Sequence, residues 1–533
     1  MNANRCLPLV WLVTALPAQE PAKAIEPVRF SFQLDHGMPG PKIAMRLAGL
    51  ARDEVTLAMP VWKPGSYHVG NFARTVRGLK AFGADGTELA VSQPDPSRWT
   101  IASKGQSSIE VRYEVQPPRG GGIGRATKRE DDKREFEAYQ FEGPATWLYP
   151  VDAKHAPQQV TFDLPEGWKI ATGMLPAGDG KTFSCTDYDT FADCPFRVGR
   201  FEERTFQVQG VDHRVVWNGF GSAKSDPQKL AELYDAAVAR YQRIVKAQLD
   251  MMGAPPYPFY VFLINAPGGQ GLEHLNSTTI SMMDLSGSTP EENSIWDSIV
   301  SHEFFHLWNV KRLRPQALGP FDYQGPNRTK YLWLSEGVTS YYGDLLLVRA
   351  GVWNEELYWT EAIAGEINTL QHNAGRLKMS VAEASRTVWD APYMRRGMSA
   401  PDYYNKGQLL GLLLDIEIRD ATANEKSFDD VMRALYAQCR ETGKGFADGD
   451  VARHCAAIAG RDFAPFFAKY VDGVEELPFK ECLAKIGLEL LEVVPKTDSR
   501  SSRPARPHYV VRFAKNPPQR AQAMRKDMGR RVD

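Results

Sequence analysis

Between residues 28 and 211 apolar and polar positions alternate in short runs, and turns rich in Gly, Pro and Asp part the runs. A period of two puts every other side chain on one face of an extended chain. The segments 28–34, 54–59, 108–115, 159–164 and 205–208, many rich in β-branched or aromatic residues, therefore predict strands. Many short strands with frequent turns predict a sandwich-like β domain. Within it, 119–124 is glycine-rich and 125–134 is charged, which reads as an exposed loop.

Beyond residue 211 the period lengthens. Residues 215–217 read as a last strand. Over 226–251, Leu230, Leu233, Ala237, Tyr241, Ile244 and Val245 recur at helical spacing, and Gly253-Ala254-Pro255-Pro256 ends the run. A densely apolar strand is expected at 259–264, a loop at 265–271, and another extended segment at 273–283. Thr289-Pro290-Glu291-Glu292 offers a capping hydroxyl, a proline at the first helical position and an acid at the third, which opens a helix running to about Asn309. Further helices are expected at 334–350, stopped by Gly351, and at 353–370, 407–420, 428–442 and 448–459. The fold class is a multidomain α+β chain. A β-sandwich-like domain over 26–211 precedes a domain over 212–491 that joins a small sheet to a helical C-terminal half.

Composition narrows the classes of partner. A chain of 533 residues is too long for one ordinary core. Its formal net charge of -1 argues against nucleic acid or an anionic membrane as the main partner, and no apolar run approaches the length of a membrane span. Residues 1–25 resemble a secretory signal: one cation at Arg5, an apolar stretch over 7–16, and Ala18 as the cleavage point. Export to the periplasm or beyond follows from that reading; without it the chain stays in the cytoplasm. The segment 496–533 holds 11 Lys/Arg against 3 Asp/Glu and four prolines, so 492–533 is expected to be a disordered basic tail. The six cysteines form no C-x-x-C pair, which excludes a thiolate zinc site of that kind. Cys185 with Cys194 and Cys439 with Cys455 can form disulfides in an oxidising compartment or remain buried thiols.

The chemistry lies in Ser301-His302-Glu303-Phe304-Phe305-His306, an H-E-x-x-H pattern inside an expected helix. Residues four apart share a helical face, so both imidazoles can bind one ion, and Glu303 can reach a water on that ion without being a ligand. Two histidines on a surface helix are the plainer alternative. A catalytic zinc needs three protein ligands and an open fourth position. Trp333-Leu334-Ser335-Glu336-Gly337 provides a carboxylate at the start of the next helix. An acid there ordinarily serves the helix dipole, but its place thirty residues past His306 among apolar neighbours favours ligation. His302, His306 and Glu336 are thus the candidate Zn2+ ligands, with Glu303 as general base.

The run from His302 to Arg312 and the run from Trp333 to Tyr342 resemble the glycyl-aminopeptidase family of gluzincins, metallopeptidase family 61. Met59-Pro60-Val61-Trp62-Lys63-Pro64-Gly65-Ser66-Tyr67 and Asp187-Tyr188-Asp189 are similar to that family's N-terminal domain. The resemblance spans 28–491 and implies a thermolysin-like catalytic domain and a C-terminal PDZ domain. Too little chain follows residue 491 for such a domain. Gly271-Leu272-Glu273-His274 resembles the G-x-M-E-N strand of gluzincin aminopeptidases, which implies that Glu273 binds the substrate's free amine. Gly271 would let that strand approach the substrate closely, and His274 stands where the pattern has asparagine. Tyr404-Asn405-Lys406-Gly407 resembles the Y-E-K-G segment, which implies oxyanion stabilisation by Tyr404. The expected activity is zinc-dependent peptide hydrolysis from the N-terminus with preference for Gly or Ala. An endopeptidase and a non-catalytic metal-containing binding protein are the alternatives.

Overall fold

The computed structural model describes residues 26–50, 52–116, 138–220, 226–283, 294–390, 399–494 and 507–530. The expected signal segment, the charged loop at 119–134 and the helix opening at Thr289 lie outside them.

The N-terminal half is built from sheets whose alternation matches the sequence pattern. In the eight-stranded sheet, Val28–Gln33 sits between Lys42–Ala48, antiparallel, and Gln158–Asp163, parallel. Val28–Gln33 alternates buried and exposed residue by residue, because one face meets the domain core and the other meets solvent. A four-stranded sheet contains Glu54–Ala58 and Arg98–Ala102, and a three-stranded sheet contains Phe196–Gly199 flanked by Lys169–Thr172 and Ala138–Phe141. Phe32, Phe141, Trp147, Phe162 and Phe196 interlock at centroid distances of 5.1–5.9 Å to fill the interior.

The second half begins earlier than expected. Glu202–Val208 pairs with Val211–Asn218, which pairs with Phe259–Asn265, so the strand placed at 205–208 belongs to the sheet of the second half and the division falls near residue 201. The spatial order of that five-stranded sheet is Glu202–Val208, Val211–Asn218, Phe259–Asn265, Ser277–Ser281 and Gln270–Glu273. Residues 273–283 are therefore not one extended segment. The chain reverses between Gln270–Glu273 and Ser277–Ser281, leaving Gln270–Glu273 as an antiparallel edge strand.

Helix Pro227–Met252 packs its apolar stripe on this sheet. Its buried Gln248 donates to the carbonyl and hydroxyl of Ser301, at 2.8 and 3.0 Å, and so anchors the helix Ser294–Phe305. The two halves meet along a polar seam as well as an apolar one. Arg197, wholly buried, donates to the carbonyls of Val216 and Ile264 and to the side chains of Gln140 and Asn265 at 2.7–3.2 Å.

The basic tail is not disordered over its described part. His508–Phe513 pairs with Leu488–Val493, a strand that the expected boundary at 491 would cut, and Gln519–Met528 is a helix. Ala521, Met524, Arg525 and Met528 recur at helical spacing and are buried, with Met524 and Met528 entering the main core. The charge total misled because the cations find partners: Arg520 pairs with Asp420 at 2.9 Å and Arg525 with Glu355 at 3.3 Å. The five described cysteines are buried free thiols. Among the described residues no helix is long and apolar enough to cross a membrane.

Candidate active site

The helix Ser294–Phe305 carries His302 and Glu303, and its backbone bond from His306 to the carbonyl of His302, 3.2 Å, keeps both imidazoles on one face. Glu336 lies in a π-helical turn, Trp333–Val338, which runs directly into the α-helix Thr339–Arg349. The structure brings the three residues together. His302 Nε2 and His306 Nε2 are 2.9 Å apart, and Glu336 Oε2 is 3.7 and 3.3 Å from them. The edge of a tetrahedron with bonds of about 2.1 Å is about 3.4 Å, so the three atoms are spaced as donors to one zinc-sized ion.

The remaining polar atoms of these residues are already committed. His306 Nδ1 donates to the carbonyl of Asn309 at 2.6 Å, and His302 Nδ1 meets the hydroxyl of Ser340 at 3.2 Å. That hydroxyl donates to the carbonyl of Glu336, so it accepts from His302. In their neutral forms both rings therefore turn an unprotonated Nε2 inward. Tyr67 Oη donates to Glu336 Oε1 at 2.9 Å, leaving Oε2 facing the imidazoles. Burial, then the Glu336 charge, raises the Tyr67 hydroxyl well above its ordinary pKa, so it is a donor at neutral pH.

Charge gives the same answer. Burial opposes a charge on Glu336, but the two imidazoles hold its carboxyl well below the usual range. Burial lowers His302 to about 4, whereas the carboxylates of Glu336 and Glu273 outweigh burial at His306 and raise it to about 9. The pocket needs a positive charge at its centre, and a divalent cation supplies what the proton on His306 otherwise supplies. The residues present thus fit a zinc ion.

Glu303 and Glu273 stand beside this set, each within 4.8 Å of the other and of His306. Burial pushes the Glu303 carboxyl well up, and the neighbouring Glu273 adds to the rise while His306 opposes it. Glu303 Oε2 and Glu273 Oε1 are buried with no hydrogen-bond partner among the described residues. Two such oxygens are costly unless something arrives to use them. Gly271 also makes room within the site itself. A Cβ there would fall onto the Glu303 carboxylate, so the glycine gives room to Glu303.

His274 turns to the domain seam. Its Nδ1 lies 3.1 Å from Asp193 of the N-terminal half, which also accepts from Leu275 N at 2.8 Å and pairs with Lys311 at 2.7 Å. Asp193 thus fixes the turn that follows Glu273. Tyr404 opens the helix Tyr403–Ala421 behind the capping side chain of Asp402, and its ring stacks on His302 at 6.0 Å with 37 % of its surface exposed. It is the most open of the candidate residues.

Sequence reasoning assigned no role to Asn309, Ser340, Tyr67 or Asp193. Asn309 was detectable as the third residue after His306. Its amide also donates to the carbonyl of Leu334 at 2.8 Å and to Thr339, tying the histidine helix to the turn that carries Glu336. Ser340 was detectable as the residue one helical turn beyond Glu336. Tyr67 and Asp193 come from the other domain, and no local spacing reveals them.

Comparison with known proteins agrees with this architecture. The peptidase M61 N-terminal domain matches residues 41–200, and the M61 glycyl aminopeptidase family matches residues 296–410. No match was found among proteins of curated function. An aminopeptidase N family protein from Idiomarina loihiensis superposes with a TM-score of 0.78 at 26 % identity, covering 90 % of this chain and 82 % of that one. An M1 zinc metallopeptidase from Deinococcus radiodurans shares the fold at a TM-score of 0.51 and 15 % identity, covering 85 % of this chain and 95 % of that one. Yeast LTA4 hydrolase in complex with bestatin does so at 0.54 and 12 %, covering 85 % and 69 %. With both halves of the chain matched to one family's own domains, the protein belongs to the M61 glycyl aminopeptidase family of peptidases.

Proposed function

We propose that the protein is a zinc aminopeptidase in which His302, His306 and Glu336 hold the metal. The observation that carries this reading is the set of three inward donor atoms, with every other polar atom of those side chains engaged, beside two buried carboxylate oxygens that have no partner among the described residues. When bound, zinc supplies Lewis acidity, which brings the pKa of water down to about 7. Glu303, held close to His306 and kept from solvent, takes a proton from the attacking water and delivers it to the leaving amine. The Tyr404 hydroxyl donates to the oxygen on which negative charge develops. Glu273 receives the substrate's protonated amine, which satisfies its free oxygen. The edge strand Gln270–Glu273 offers the peptide a backbone to pair with. Preference for Gly or Ala at the first position is carried over from the family.

A panel of free-amine and acetylated peptides tests the reading, together with elemental analysis. We expect one zinc per chain and rapid cleavage of free-amine peptides only. A charge-assisted contact is worth about 1.5–3 kcal/mol, so Glu273→Ala should lower kcat/KM on free-amine peptides roughly tenfold to two-hundredfold while zinc stays bound. Acetylated peptides cut internally as fast as free-amine ones would make the protein an endopeptidase.

A further inference from the structure

The segment 59–67 belongs to the N-terminal domain, yet its end stands over the active site. Tyr67 is 3 % exposed, and its ring is held edge-on by Trp389 at 6.0 Å, which meets Trp62 edge-on at 5.2 Å. The segment is pinned along its length. Val61 N donates to the carbonyl of Tyr323 at 2.9 Å, Trp62 Nε1 to the carbonyl of Asp322 at 2.7 Å, and Lys63 pairs with Glu142 at 2.6 Å. Gly65 adopts φ +85°, and a Cβ there would come within 2.6 and 2.8 Å of the two oxygens of Glu273. The Tyr67 hydroxyl is therefore delivered to Glu336 by a rigid frame that also touches the second carboxylate of the site.

A carboxylate offers two equivalent oxygens. Left alone, it can rotate or bind a metal through both, and the second mode closes the open position that hydrolysis needs. A hydrogen bond on one oxygen commits it and leaves the other to the ion. We propose that Tyr67 is a positioning residue for Glu336, fixing Oε1 so that Oε2 ligates, and that the metal site is completed across the domain boundary. The inference rests on the zinc-peptidase reading above.

Tyr67→Phe in the full chain keeps the ring against Trp389 and removes only the hydroxyl. Zinc affinity, measured by competition with a chelator, should weaken about tenfold to a hundredfold. The melting temperature of the zinc-free protein should barely move, and kcat at saturating zinc should fall. Lys63→Ala is the control, because it loosens the same segment without touching Glu336, and its zinc affinity should stay parental. Parental zinc affinity in Tyr67→Phe would overturn the proposal while leaving the zinc reading intact. Equal weakening in both variants would overturn it too, since only the integrity of the segment would then matter. A parent protein that binds no zinc would sink the underlying reading and the proposal with it.

Discussion

Burial, aided by Glu273 and opposed by His306, favours a proton on the Glu303 carboxyl, which is useful in a group that must accept and return one. Glu303→Gln preserves its shape and removes its basicity, so zinc content should be unchanged while turnover falls by about a thousandfold or more. Near-parental turnover in that variant would require another base. Tyr404→Phe should cost about a hundredfold in kcat with zinc retained, because one donor to a developing oxyanion is lost. An unchanged kcat would remove Tyr404 from the reaction. At this scale the sequence was readable wherever one backbone element sets the geometry. His302 and His306 are one helical turn apart, and the spacing alone places them together. Tyr67 and Glu336 meet across 269 residues, and only the docked domains bring them into contact.

The edge strand Gln270–Glu273 and its turn show why elements were harder. Glu273 to Met283 reads as one extended run by composition, and the reversal depends on Asp193, a residue from the other domain that holds His274 and Leu275. Other elements were legible end to end, among them Ser108–Val115 and Phe428–Thr442, because a steady period and a clear stop signal agree there. The strand Val211–Asn218 carries a titratable group of its own. His213 is fully buried, stacked on Phe206 at 5.0 Å. Its Nδ1 donates to the carbonyl of Val211 and its Nε2 accepts from Tyr257 Oη. Burial lowers its pKa to about 4. The unfolded chain then binds the proton first, so stability is intact above pH 6.5 and is lost as pH falls toward 4. His213→Phe should lessen that acid loss by about 3 kcal/mol relative to the parent, judged from denaturant unfolding at the two pH values. An identical loss in both proteins would assign the acid sensitivity elsewhere.

At the scale of the whole molecule, the C-terminal strand and helix complete the catalytic half. Arg349 is buried, pairs with Asp429 at 2.8 Å and donates to the carbonyl of Met528 at 2.8 Å, so the last helix is bonded to the same helix that follows Glu336. Removing residues 507–533 would expose the places of Val511, Met524 and Met528 and leave that guanidinium short of an acceptor. The cost should be on the order of 5 kcal/mol or more, seen as a lower melting temperature and loss of soluble protein. A truncated protein that melts with the parent would contradict this packing. The π-helical turn Trp333–Val338 also constrains the length of the chain at this point. Such a turn contains more residues than an α-helical turn, and each residue of an α-helix accounts for about 100° of rotation. Losing a single codon there would restore ordinary winding and swing one side of the turn about the axis relative to the other. Glu336 would point away from the histidines though no side chain of the site had changed. In this short stretch the number of residues, and not only their identity, sets where Glu336 points.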